Sequence, residues 1–118
     1  MAYPRRGPLH DRLYSAQIVD VSTADDVSIP IVFDGELVAW SVTLEAVITG
    51  TAAFTVEVDG TAHADAAQSL VALAEKTPQT KEVPAGVMLS AGSNLEFITD
   101  GGSTNTAIAT ITAVVRDS

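Results

Sequence analysis

Glu36-Leu37-Val38-Ala39-Trp40-Ser41-Val42-Thr43-Leu44-Glu45-Ala46-Val47-Ile48 alternates with a period of two. Val38, Trp40, Val42, Leu44, Ala46 and Ile48 fall on one side, and Leu37, Ala39, Ser41, Thr43 and Glu45 fall on the other. Successive strand side chains point to opposite faces, so this pattern describes a strand with one buried face in an antiparallel sheet. A helix over the same residues would group Trp40, Leu44 and Val47. The β-branched content argues against it, because those side chains lose rotamer freedom against a helical turn.

The neighbouring segments repeat the theme. Short apolar stretches at 16–21, 27–33, 54–58, 94–98 and 106–116 are separated by turn residues. Pro30 lies inside the second and predicts an edge strand or a bulge, since proline cannot donate to the ladder. Asp34-Gly35 and Asp59-Gly60 are expected to close hairpins, and Asp100-Gly101-Gly102-Ser103 to turn the chain into its last strand. Residues 64–76 are ambiguous. Ala67, Leu70, Val71 and Ala74 keep helical spacing, while their β neighbours favour a strand at 69–74. Turns are expected at 77–80 and 84–86, with short strands at 81–83 and 87–89. About eight strands with turns every eight to twelve residues predict an all-β fold, an antiparallel β-sandwich or jelly roll. Its core anchors are expected at Val38, Trp40, Val42, Leu44, Phe54, Val56, Phe97 and Ile111.

Composition agrees. The chain has 118 residues, 47% of them hydrophobic but only 5% aromatic, so the apolar share consists of small and branched aliphatics suited to strands. That length suits one domain with a core that needs no staples. Without cysteine, disulfides, thiolate zinc sites and cysteine nucleophiles are excluded. Apolar runs fall far short of the roughly 18 residues that span a bilayer, and no secretory leader is recognisable at the start.

Charge divides the chain. Residues 1–12 hold Arg5, Arg6 and Arg12 against Asp11, a balance of +2, while the rest holds three bases against 14 acids, or -11. So acidic a body repels phosphate backbones, which makes nucleic acid an unsuitable partner. The start contains two prolines and a glycine and little periodicity. It reads as an extended basic arm over residues 1–14, ahead of a sandwich domain at 15–118. Tyr3, Leu9, Leu13 and Tyr14 are more apolar than a merely solvating tail requires.

No catalytic, cofactor or metal constellation is legible. His10 and His63 stand far apart with no metal-ligand spacing, and GxSxG is absent. Asp100-Gly101-Gly102 lacks the Asp-Thr/Ser-Gly order of an aspartyl protease, and no EF-hand spacing supports Asp25, Asp26 or Asp34 as calcium ligands. Asp59 and Asp65 read as solvated loop acids. Trp40, on the apolar face, is expected to anchor the core and not to stack on a sugar. Phe33, Phe54 and Phe97 are read as strand residues with apolar neighbours.

Several segments carry a resemblance. Ser28-Ile29-Pro30-Ile31-Val32-Phe33-Asp34-Gly35-Glu36-Leu37-Val38, Leu44-Glu45-Ala46-Val47-Ile48-Thr49-Gly50, Phe54-Thr55-Val56-Glu57-Val58-Asp59-Gly60-Thr61 and the stretch from Leu89 to Ser103 resemble small head decoration (capsid cement) proteins of tailed bacteriophages. The likeness spans roughly residues 27–116 and is weaker across 62–83. Ser93 stands where that family often has aspartate after Ala-Gly. The resemblance implies a structural, non-enzymatic β-sandwich that trimerises at three-fold or quasi-three-fold sites on the outer face of the virion. There it binds the major capsid protein and reinforces the shell, with no cofactor and no membrane. The arm residues Tyr3, Pro4, Arg5, Arg6, Leu9, Arg12, Leu13 and Tyr14 are then the expected shell contacts. The rival expectation is a glycan-binding sandwich on the virion surface, which exposed aromatics or a calcium site would favour.

Overall fold

A computed structural model describes residues 11–71 and 74–117. Among these residues nine strands run in the order β1 (Asp11–Ile18), β2 (Ala24–Pro30), β3 (Gly35–Leu44), β4 (Thr51–Val58), β5 (Thr61–Ala62), β6 (Gln68–Val71), β7 (Gln79–Leu89), β8 (Asn94–Asp100) and β9 (Ala109–Asp117). A 3-10 turn at Ala64–Ala66 is the helical element among the described residues. One antiparallel sheet has the order β1-β9-β3-β7. The other runs β2-β8-β4-β5, with β6 also paired to β4. The two face each other as an all-β sandwich, and the segment with helical spacing contributes a strand, β6.

Trp40, Val42, Leu44, Phe54, Val56, Phe97 and Ile111 are all buried between the sheets. At about 1.5–3 kcal/mol for each large side chain removed from water, this layer is the main source of stability. Trp40 sits at its centre, 4.7 Å from the Phe97 ring and 5.8 Å from the Phe54 ring. Its indole N–H donates to the Ala66 carbonyl at 2.7 Å, which ties the 3-10 turn down over the core. Ala107, Ala109 and Ala113 also face this core, where small side chains let the sheets approach.

Val38 departs from its expected place. Leu37 pairs with Val115 and Ala39 with Val114, so β3 carries one extra residue there, a β-bulge. The bulge reverses the alternation: Leu37 is buried, Val38 and Ala39 are both half-buried, and Trp40 is buried again. Beside it, β7 makes a wider detour. Leu37 faces Val87 and Ala39 faces Glu82, so 83–86, including Pro84 and Gly86, bow out of an edge strand that tolerates a missing donor.

Hairpin logic succeeds once and fails once. Asp59 (φ 49°) and Gly60 (φ 86°) join β4 to β5, with Val58 opposite Thr61; two consecutive positive φ angles suit the twist of a tight hairpin. Asp34-Gly35 instead leads from one sheet to the other, because β2 pairs with β8 while β3 pairs with β7 and β9. Pro30 ends β2, which is indeed an edge strand. Gly35 is needed for close approach: a Cβ there would lie 2.6 Å from the Arg116 carbonyl oxygen and 3.1 Å from Val115 Cγ1. Gly35→Ala is therefore expected to cost about 1–3 kcal/mol by overpacking, read as a lower urea midpoint; an unchanged midpoint would show that β9 yields without strain.

Candidate docking surface

The start of β1, the end of β9, the start of β3 and the 31–34 loop meet at one end of the sandwich. The loop is pinned from inside. Ile31 is buried, its N–H donates to the Ser93 carbonyl at 2.9 Å, and its own carbonyl accepts from Gly92 N–H at 2.8 Å. Asp34 Oδ1 accepts from Ala91 N–H at 2.9 Å. These anchors hold Val32 and Phe33 outward, 61% and 50% exposed. Leu13, 69% exposed, projects from the outer face of β1, the face opposite to Arg12.

Ion pairs frame this apolar end. Arg12 Nε donates to Asp117 Oδ1 at 2.7 Å, and its guanidinium carbon lies 4.1 Å from the centre of the Phe33 ring. Such stacking holds an exposed aromatic in one orientation. On the neighbouring register position Arg116 donates to both Asp11 oxygens, at 2.9 and 3.3 Å, and this hydrogen bonding draws the Asp11 carboxyl below its usual range. Exposed apolar side chains around an oriented aromatic and an arginine are the chemistry of protein docking, where aromatic and arginine residues carry most of the affinity.

The expected contact residues divide. Tyr3, Pro4, Arg5, Arg6 and Leu9 lie outside the described residues, as does His10. Arg12, Leu13 and Tyr14 do not belong to an extended arm: they pair with Val115, Val114 and Ala113 within β1. The arm as read over 1–14 therefore loses its last four residues to the sheet. Tyr14 packs partly against the core. Val32, Phe33 and Asp117 were not anticipated. Phe33 reads in the sequence as a strand residue with apolar neighbours; β2 ends at Pro30, the alternation lapses, and Phe33 turns outward.

No family model, curated protein or solved structure matches this chain.

The remaining polar candidates stay apart. Asp25 and Asp26 lie on β2, whereas Asp34 lies in the loop beyond its far end. Among the described residues no group of three His, Asp or Glu side chains could hold a metal ion. Asp59 Oδ1 accepts from Asn94 N–H, and Asp100 Oδ1 from Ala53 and Gly102 N–H, all structural roles at turns. The outer face of the second sheet is acidic. Glu96 lies opposite Ser28 on one side and Glu57 on the other, and partial desolvation, then its contact with Asp26 and the charge of Glu57, push its carboxyl above the usual range.

That direction fixes a pH effect. A carboxyl that holds its proton more tightly when folded opposes folding once ionised, so its unfavourable contribution grows as pH rises through the glutamate range. Glu96→Gln is expected to raise the urea midpoint at neutral pH and to leave it unchanged at pH below that range. A midpoint unchanged at both would show that the acidic face carries no strain.

Proposed function

We propose that this protein is a head decoration protein that binds the major capsid protein on the outer face of a tailed-phage shell as a homotrimer, stabilising the lattice. The observation that carries this reading is the exposed apolar pair Val32 and Phe33, with the Arg12 guanidinium of β1 stacked over the Phe33 ring. An exposed apolar patch rimmed by charges marks an interaction site on an otherwise polar surface. The resemblance of residues 28–38 and 89–103 to decoration proteins supplies the kind of partner. Arg5 and Arg6, ahead of β1, add cationic reach to an acidic body. Three copies joined as a trimer would engage the lattice together, and each bound copy raises the effective concentration of the next.

The test mixes purified protein with undecorated heads and follows sedimentation and heat resistance of the shells. Co-sedimentation at saturable stoichiometry with delayed shell disruption is the expected result, and neither binding nor protection would end the reading. A second measurement removes residues 1–10 only. Cutting further would break the Arg12–Asp117 and Asp11–Arg116 pairs. The shortened chain is expected to keep its strand signature by circular dichroism and to bind heads at least roughly tenfold more weakly, the equivalent of one or two lost contacts. Equal affinity would remove the arm from the contact.

A further inference from the structure

The first sheet ends on one side at β1, and among the described residues no strand pairs with the outer edge of β1. A free edge presents a row of unpaired backbone N–H and C=O groups, a template for another strand. The other sheet edges are guarded. β7 bows out at 83–86 and carries Lys81, Glu82 and Pro84. β2 carries Asp25, Asp26 and Pro30, while β5 and β6 are short. From Leu13 to Ile18, β1 has no charge and no proline, and its register with β9 is unbroken over eight residues.

Charge and packing select the partner. At a net charge of -9, two copies of the chain repel each other over most of their surface. The β1–β9 pair is neutral: Asp11 is matched by Arg116 and Arg12 by Asp117, and no other charge lies on either strand. The inward side of the edge is also incomplete. Tyr14 and Ala16 pack against the core but stay half-buried, whereas Ala113 and Ile111, their partners on β9, lie between two strands and are fully buried. A further strand on the open side would put β1 in the position that β9 already holds.

We propose that β1 pairs antiparallel with β1 of a second copy of this chain, about a two-fold axis at Ser15, so that the two four-stranded sheets become continuous. Inward residues meet inward residues only when one residue of β1 lies opposite its own copy, because a one-residue slip exchanges the faces. With Ser15 at the axis, the uncharged stretch Leu13–Gln17 pairs with itself. Tyr14 then lies opposite the second copy's Ala16 on the inner face, large against small, and Leu13 lies opposite Gln17 on the outer face. This contact does not rest on the shell-binding reading. It is two-fold, and therefore distinct from any contact that closes a trimer.

The chain has no cysteine, so a single introduced one can form a disulfide only between copies. In the full chain, Ser15→Cys is expected to give a covalent dimer under mild oxidation. Directly opposed residues of an antiparallel pair have Cα atoms roughly 4.5–5.5 Å apart, within the span of a disulfide. Thr55→Cys, exposed on β4 of the second sheet, is the control and should cross-link far more slowly. Ser15→Lys, whose side chain faces solvent, sets two cations opposite each other. It should weaken self-association in sedimentation at low salt by up to about fivefold. Mixing it with Ser15→Glu should restore association, which a local distortion of β1 would not allow. The proposal is overturned if Ser15→Cys cross-links no faster than Thr55→Cys, if Ser15→Lys associates as the parent does, or if the mixture restores nothing. A trimer without the Ser15 cross-link would remove this contact and leave the shell-binding reading standing.

Discussion

Trp40→Ala is expected to lower unfolding stability by about 3–5 kcal/mol, the range for removing a large buried aromatic from a core that cannot fully collapse. Single domains are stable by about 5–15 kcal/mol, so much of the folded population is at stake. Two losses combine. The ring leaves a space between Phe54 and Phe97, and the Ala66 carbonyl loses the indole N–H that reaches it at 2.7 Å. Trp40→Phe separates them, because it refills most of the volume but leaves that carbonyl unpaired, a penalty of about 1–3 kcal/mol. Urea unfolding followed by circular dichroism measures both, since Trp40 is the sole tryptophan and its own fluorescence disappears. A loss below about 1 kcal/mol for the alanine variant would mean that the sheets can close over the missing ring.

How far the fold can be read from the chain depends on which interactions are local. The alternation from Trp40 to Leu44, the Asp59-Gly60 hairpin and the edge placement of Pro30 are set by residues a few positions apart, and period and turn chemistry report them. What escapes is set by a partner strand. Val38 has the right residue type and the right parity for the core, but parity survives only without a bulge, and this one is defined by the Leu37–Val115 and Ala39–Val114 register with a strand more than 70 positions away. Asp34-Gly35 has hairpin composition, yet its glycine answers to the carbonyl of Arg116 and not to a tight turn. At 64–76, by contrast, the strand favoured over helical spacing because of its β neighbours is present as Gln68–Val71 paired with β4, the usual outcome when tertiary contacts oppose weak propensity.

The docking surface was half legible for the same reason. A basic start beside an acidic body is a matter of counting, and it points to the N-terminal end without any coordinates. Phe33 was not legible, because its exposure results from a strand that stops three residues earlier and from a loop held by Ser93, Gly92 and Ala91.

Phe33→Asp is expected to weaken binding to undecorated heads by at least roughly thirtyfold, the equivalent of a single interface hot spot of about 2 kcal/mol. In a trimer the loss recurs at each contact, so the measured change should be larger still. The charge would sit where an apolar ring is half-exposed and would compete with Asp117 for the Arg12 guanidinium. Folding should change little, because the ring contributes to the surface while Ile31 holds the loop from below. The control is Val47→Asp: Val47 is 49% exposed and lies past the far end of β3, at the other end of the sandwich. Equal binding by the Phe33 variant with loss by the Val47 variant would turn the molecule over, placing the far loops against the shell and the N-terminal segment on the outside. Loss by both would point to a contact along the sides of the sandwich, and the apolar end would then need another partner. Loss by Phe33→Asp alone ties the surface to the lattice through a residue whose exposure no reading of charge or motif in the chain reveals.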